Sequence, residues 1–271
     1  MITSKSRTVL AVGAHPDDIE FLGAGTLALL YARGWRVWVA TMTAGDMGSA
    51  RLGRDEISRV RLGEASKAAA LLEAEYRCLG ATDFGVYFGD ALCRRTAALL
   101  RAARPDLVLT HAPIDYVADH EEASRIVRQA CFAAPVRNYD TRGEETRRLA
   151  LGEVPTASIP HLYYFDAVEG KDYFGQPVPA AIIVDISSTI ETKAAMLACH
   201  ESQRDWLREH HGTDHYIEQM RAWSAQRGAE VEIAYGEAFR QHRGHAFPRS
   251  DLLREVLGEL VHCQEGRPRS S

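Results

Sequence analysis

The chain has 271 residues, 46% hydrophobic and 25% charged, which is enough apolar content for a large buried core and argues against disorder. A formal charge of −5 removes the broad electrostatic reason to expect nucleic acid or an anionic membrane as a partner. Five dispersed cysteines without a C-x-x-C fit reduced thiols better than a disulfide framework, and no apolar run suits stable membrane insertion. The expectation is a soluble, cytoplasmic protein with a small-molecule partner; homo-oligomerisation is left open.

The first half alternates strand and helix patterns. An apolar run at 8–13 reads as a buried strand, followed by A-H-P-D-D-I-E and a helix over 23–34 that ends at a glycine. A second strand at 37–42 leads through the glycine-rich T-A-G-D-M-G-S-A-R-L-G into a helix over 55–72. A short strand at 76–79, a helix at 92–103, the strand in R-P-D-L-V-L-T-H and a helix at 121–133 continue the alternation. Residues 140–160 are polar and read as a surface excursion or a lid. Later strands are expected at 161–167 and 181–186 and a helix at 190–206, with the last eight residues, 264–271, as a flexible tail after one domain over 1–263. Such alternation implies an α/β fold with a mostly parallel sheet covered on both faces. Sheets of that kind bind ligands beyond the C-terminal ends of their strands, where both A-H-P-D-D and H-A-P-I-D-Y-V-A-D-H fall.

His15 and Asp18 stand three apart at the start of a helix, close enough for an imidazole and a carboxylate to face one centre. His120 follows another strand, and a His, Asp, His set suits Zn2+ with one coordination position left open. Asp17 is then a natural proton acceptor for hydrolysis without a serine or cysteine nucleophile. The plainer alternative is that H-P-D-D only turns the chain and caps a helix, and that Asp119 and His120 are ordinary exposed polar residues.

A-H-P-D-D-I-E with the downstream D-Y-V-A-D-H resembles the LmbE-like, or PIG-L, family of zinc-dependent N-deacetylases, most sharply over 9–26 and 110–122. The resemblance implies a Rossmann-like three-layer sandwich and removal of acetyl from an N-acetylglucosamine-type amino sugar or its conjugate. It further implies that His15, Asp18 and His120 hold Zn2+ or another divalent transition metal and that Asp17 is the general base. By the same resemblance, Arg61 in E-I-S-R-V-R-L-G-E points at substrate with Glu64 orienting it, Asp119 steadies the metal histidines, and Asp115 and Tyr116 shape the substrate loop. Where many members carry H-P-D-H this chain has V-A-D-H, so Val117 replaces a histidine that assists the oxyanion. His200, in a segment resembling the family's lysine-to-glutamine helix from Lys193 to Gln203, is the candidate replacement, with Tyr116 competing for the role.

Of the other histidines, His210, His211, His215, His242 and His245 read as surface or substrate-loop residues, and Arg204, Trp206 and Arg208 could flank a sugar pocket. Two alternatives to deacetylation stay open: an amidase for another acyl-amino-sugar conjugate, such as a thiol conjugate or an antibiotic precursor, and a noncatalytic sugar-binding protein. A dinucleotide site is disfavoured, because G-A-H-P-D-D lacks the G-x-G-x-x-G turn and places carboxylates where a pyrophosphate would approach.

Overall fold

A computed structural model describes residues 6–204 and 215–263. Strand β1 (Thr8–Gly13) is buried along its whole length and lies at the middle of the sheet, because its residues are apolar on both faces. From there the chain winds outward through helix α1 (Asp18–Ala32), β2 (Arg36–Thr43), α2 (Arg54–Ala70) and β3 (Glu75–Ala81). It then passes through α3 (Asp90–Ala103) to the other side of β1 and adds β4 (Leu107–Thr110), α4 (Ala118–Ala133), the short α5 (Glu144–Arg148) and β5 (His161–Phe165). The remaining described elements are β6 (Ile182–Asp185), α6 (Ile190–Ala198), α7 (Tyr216–Ala229), β7 (Gly236–Gln241), α8 (Leu252–Leu257) and β8 (Val261–Cys263).

The sheet order is β3-β2-β1-β4-β5-β7-β6-β8. The first five strands are parallel, and β7 joins β5 antiparallel before β6 and β8 complete an antiparallel edge. The direction of winding reverses between β1 and β4, so the loops after these two strands meet at the topological switch point where such sheets open a crevice. Alternate residues divide two cores. Val9, Ala11 and Leu109 face α1, α6 and α7, whereas Leu10, Val12 and Val108 face α3 and α4. The expected three-layer sandwich with a mostly parallel sheet is therefore present.

Helix α1 starts five residues before the expected Gly23, directly after Asp17, and the glycines of F-L-G-A-G-T lie within it for close packing. A Cβ on Gly23 would stand 2.4 Å from Phe165, and one on Gly25 2.8 Å from Ile186. Helix α6 stops at Ala198 rather than continuing through 206, and the chain turns at Cys199 and His200. The 140–160 excursion is pinned to α3 rather than arched over the sheet: Gly152 N donates to Ala98 O at 2.9 Å, and the buried Arg101 donates to Ala134 O, Val136 O, Thr141 Oγ1 and Glu153 O. The five cysteines are free thiols, and no helix of the described residues is long and apolar enough to cross a membrane.

One buried ion pair rivets the α1 face. Lys193 Nζ lies 2.7 Å from Glu237 Oε1, both side chains 1% exposed, and Glu237 also accepts from the N–H groups of Gly25 and Thr26. Lys193→Met keeps the volume but leaves a buried carboxylate without its cation, and its loss is expected to cost roughly 3 kcal/mol, the lower end for a broken buried pair, because the two N–H donors remain. Denaturant unfolding checks this value; an unchanged midpoint would show that the pair contributes nothing net.

Candidate metal centre and active site

Beyond the end of β1, Ala14 N donates to His111 Nε2 at 3.0 Å, and His15 N donates to Asp18 Oδ2 at 2.7 Å. Between them Asp17 adopts φ 94°, a left-handed conformation that costs a non-glycine residue on the order of 1–3 kcal/mol and that Asp tolerates better than most. Its side chain makes no capping bond to α1, so the plain helix-cap explanation of H-P-D-D fails at this residue. The strained turn instead aims the carboxylate at a small cleft of about 220 Å3 lined by His15, Asp17, Asp18, Arg61, Tyr116 and Tyr216, with Gln203 at its edge.

The Asp18 carboxylate is ringed by imidazoles. His15 Nδ1 is 3.6 Å from Oδ2, His111 Nε2 3.0 Å from Oδ2, and His120 Nε2 3.3 Å from Oδ1. The outer nitrogens of two of these rings are held from behind: His15 Nε2 lies 3.0 Å from Asp119 Oδ2, and His120 Nδ1 lies 3.1 Å from Asp115 Oδ2. With protons fixed there, His15 Nδ1 and His120 Nε2 turn lone pairs toward Asp18. His120 Nε2 is buried without any hydrogen-bond partner, and His111 Nε2, which accepts from Ala14, cannot also donate to Asp18. Converging lone pairs with an orphaned buried nitrogen call for a cation, and His15, Asp18 and His120 offer ligand atoms all within 4.8 Å of one another.

His111, Asp115 and His120 form a second such grouping. It is the poorer fit, because Asp115 is already engaged by His120 Nδ1 and neither His111 nor Asp115 lines the cleft, whereas His15 and Asp18 do.

Charge follows the same geometry. Burial opposes ionisation of Asp18, but His120 and His111 outweigh it and hold the carboxyl well below its usual range. Burial also works against protonated imidazoles, yet Asp119 and Asp18 push His15 up to about 10, and Asp18 and Asp115 push His120 up to about 9. Both rings therefore carry protons at pH 7 when no cation is bound, and a divalent ion must displace them. Uptake of Zn2+ at pH 7 is expected to release about two protons, fewer as pH rises past 9. Titration in weakly buffered solution reads this directly; uptake without proton release would show that these residues are not the ligands.

The predicted residues converge unevenly. Asp119 lies behind His15 rather than behind the neighbouring His120, and it also accepts from Phe84 N at 2.7 Å and Val86 N at 3.2 Å. Arg61 is 4% exposed and reaches Pro16 O at 2.7 Å, Gly45 O at 3.3 Å and Asp17 Oδ1 at 3.4 Å, so it braces the motif while lining the cleft. Gly45 and Gly48 make room for it, since a Cβ on either would fall within 2.4 Å of its guanidinium. Glu64 does not orient Arg61; it accepts from the N–H and hydroxyl of Ser202 at 2.8 and 2.6 Å. Tyr116 is 67% exposed and edge-on to His120, with ring centroids 5.2 Å apart.

His200 is fully enclosed, its Nε2 3.5 Å from Glu20 Oε1, and does not line the cleft. The turn after α6 directs it inward, so the structure does not bring it to a substrate carbonyl. Val117 is the residue before α4. His215 pairs with Glu218 at the start of α7, His242 meets the Tyr164 hydroxyl, and His245 is exposed, all apart from the cleft. Trp206, Arg208, His210 and His211 lie outside the described residues.

Two residues were missed. His111 directly follows β4 much as His15 follows β1, and its ring stacks on His120 with centroids 3.8 Å apart; its position immediately after the strand's last residue, Thr110, was the available signal. Tyr216, the first residue of α7, lines the cleft with Asp17 and acts on its carboxyl, and nothing in its local sequence marked it.

Residues 10–131 match the family described as PIG-L: GlcNAc-PI de-N-acetylase. The matched stretch runs from β1 through α4 and carries His15, Asp18 and His120. A 1D-myo-inositol 2-acetamido-2-deoxy-alpha-D-glucopyranoside deacetylase of Thermomonospora curvata is 25% identical over 244 residues, covering 74% of this chain and 82% of that protein. Among solved structures, the N,N'-diacetylchitobiose deacetylase of Pyrococcus horikoshii aligns with TM-score 0.70 and 24% identity over 92% of this chain and 89% of the other. The 4-carboxy-2-hydroxymuconate hydratase of Pseudomonas putida aligns with TM-score 0.70 and 22% identity over 90% and 98%. A fold shared by a hydratase and a deacetylase does not choose the reaction; the PIG-L match and the His/Asp cluster place this chain among metal-binding, amidohydrolase-type enzymes.

Proposed function

We propose that this PIG-L-like protein is a zinc-dependent N-deacetylase that hydrolyses the N-acetyl group of an N-acetylglucosamine-type amino sugar or its conjugate, releasing acetate and a free amine. The observation that carries the reading is the strained Asp17, whose carboxylate lies beside the His15, Asp18 and His120 ligand set in a cleft whose lining residues include no serine or cysteine. A divalent ion held by those three residues would supply Lewis acidity toward a carbonyl oxygen and would acidify a water.

The chain's own groups perform the remaining work. Burial pushes the Asp17 carboxyl up, against the pull of Arg61, which brings it toward the range where a carboxylate is an effective proton acceptor. Asp17 takes the proton of the attacking water and returns it to the amide nitrogen as the carbon–nitrogen bond breaks. The Tyr216 hydroxyl and Arg61 fix the Asp17 carboxylate during both transfers. Tyr116 is exposed in the cleft and its phenol keeps its proton at neutral pH, so it is the side chain we assign to the carbonyl oxygen in place of the histidine missing at Val117. His200 acts at one remove: its protonated form, supported by Glu20, favours the ionised form of Asp17.

The deacetylase names of the sequence relatives support the amide reaction and an amino-sugar substrate. The test is acetate release from a panel of N-acetylglucosamine glycosides by zinc-loaded enzyme, with chelated enzyme as control. Fully metallated protein that releases no acetate from any of them would overturn the reading.

A further inference from the structure

At the C-terminal ends of β4 and β5, one loop away from the cleft, lies a second cavity of about 120 Å3. Its walls are apolar: Ala112 and Ile114 on the metal-side loop, Tyr164 and Phe239 on the floor, Val178 and Ala180 opposite. For scale, an engineered apolar cavity of roughly 150 Å3 stays dry and binds benzene.

The cavity is built rather than left over from loose packing. Arg227, 6% exposed, grips both ends of the β5–β6 connection: its Nε and Nη2 reach the Asp166 carboxylate at 2.6 and 2.9 Å, and Nη2 also reaches Val178 O at 3.3 Å. Val178 N in turn donates to Gly170 O at 2.7 Å. The charge of Asp166 is thus matched inside the wall, and Arg240, the cation among the lining residues, turns its Nε to Pro179 O.

The same wall is joined to the metal centre. Asp115 accepts from Val168 N at 3.3 Å through one oxygen and lies 3.1 Å from His120 Nδ1 through the other. Its two neighbours divide between the sites, since Ile114 lines this cavity and Tyr116 lines the cleft. Both are exposed, at 44% and 67%, so the two openings are flanked by side chains that stand on either side of the buried Asp115.

We infer that this cavity is a substrate subsite for an apolar aryl or short alkyl group carried by the amino-sugar conjugate, seated across Tyr116 from the acetamido group. The inference rests on the deacetylase reading and names the character of the conjugate. Burying each methylene should favour an apolar glycoside by about fourfold in kcat/KM, so a group that fills the cavity gains at least tenfold over methyl.

Acetate release by zinc-loaded enzyme from methyl, hexyl and benzyl glycosides of N-acetylglucosamine tests it, alongside Ile114→Asn and Val178→Asn, one polar change in each wall. The expected result is a tenfold or greater preference for benzyl or hexyl over methyl, reduced to near unity in both variants while methyl glycoside turnover stays within twofold. Calorimetric binding of benzyl glycoside to metal-free protein should weaken in parallel, and the retained methyl glycoside turnover separates loss of the subsite from a folding defect. Equal rates for all three glycosides in the parent enzyme, or a preference that survives both variants, overturn the subsite and leave the deacetylase reading intact. Binding of free benzyl alcohol that does not compete with benzyl glycoside also overturns it, assigning the cavity to a separate effector. Absence of acetate from every glycoside strikes the deacetylase reading instead; binding of the benzyl glycoside that the wall variants do not weaken would then remove the subsite as well.

Discussion

Asp17→Asn should lower kcat for acetate release by about a thousandfold, within the range general-base residues contribute, while leaving bound zinc and folding unchanged. Asparagine is the informative replacement because the backbone at position 17 has φ 94°, which Asn adopts more readily than Ala. It also retains an oxygen for the Tyr216 hydroxyl and for Arg61, so the cleft keeps its shape and only the basic carboxylate is lost. Asp17→Ala would mix backbone strain and lost packing with the chemistry. Steady-state turnover together with metal content by mass spectrometry makes the comparison, and retention of more than a tenth of the activity would remove Asp17 from the proton transfers.

Replacing Asp18 acts on a different property. Asp18→Asn removes the negative charge that three imidazole nitrogens face, and zinc affinity is expected to fall by more than about 100-fold, with activity lost in step. Asp119→Asn leaves all three proposed ligands in place and only weakens the support behind His15; it should cost roughly 10–100-fold, the range for residues that orient a metal ligand from behind. Competition against a chelator of known affinity ranks the two. The reverse order would mean that Asp119, not Asp18, lies next to the ion. Excess zinc should restore turnover in Asp119→Asn to near the parental level, because Asp17 and the cleft residues are untouched.

The parts of the fold that depend on local pattern were legible before the structure. Buried parallel strands announce themselves as apolar runs bounded by turns, and β1, β2 and β4 lie where those runs fall. The motif loops were correctly placed beyond strand ends, since that follows from alternation alone. Helix limits were less legible. Nothing in D-D-I-E-F-L-G says that a left-handed aspartate lets α1 begin at once, and nothing in L-A-C-H-E-S says that the chain turns there.

The site divided in the same way. His15, Asp18 and His120 could be proposed together because each follows a strand and the two motifs resemble those of one family; that the two loops meet depends on the strand order, which spacing does not carry. Which carboxylate stands behind which histidine depends on side-chain directions that spacing does not carry, and Asp119 turned to His15 although His120 is its neighbour in sequence. His200 looked available because an unbroken α6 would have carried it; with the turn at Cys199 it points into the protein. Tyr216 arrives from a distant helix, and only tertiary packing brings it to Asp17.

The loop from Asp83 to Phe88 holds the Asp119 carboxylate through main-chain N–H groups of Phe84 and Val86, while the side chains of Phe84, Tyr87 and Phe88 stand in solvent. Anchoring is thus written in the backbone, and the outward residues are free to vary. A randomised library at positions 84, 87 and 88, restricted at 84 to residues that accept φ 58°, could reshape this surface without disturbing the Asp119–His15 contact beneath it. For a fold that serves several substrates, such separation of scaffold from contact surface lets new preferences arise one side chain at a time.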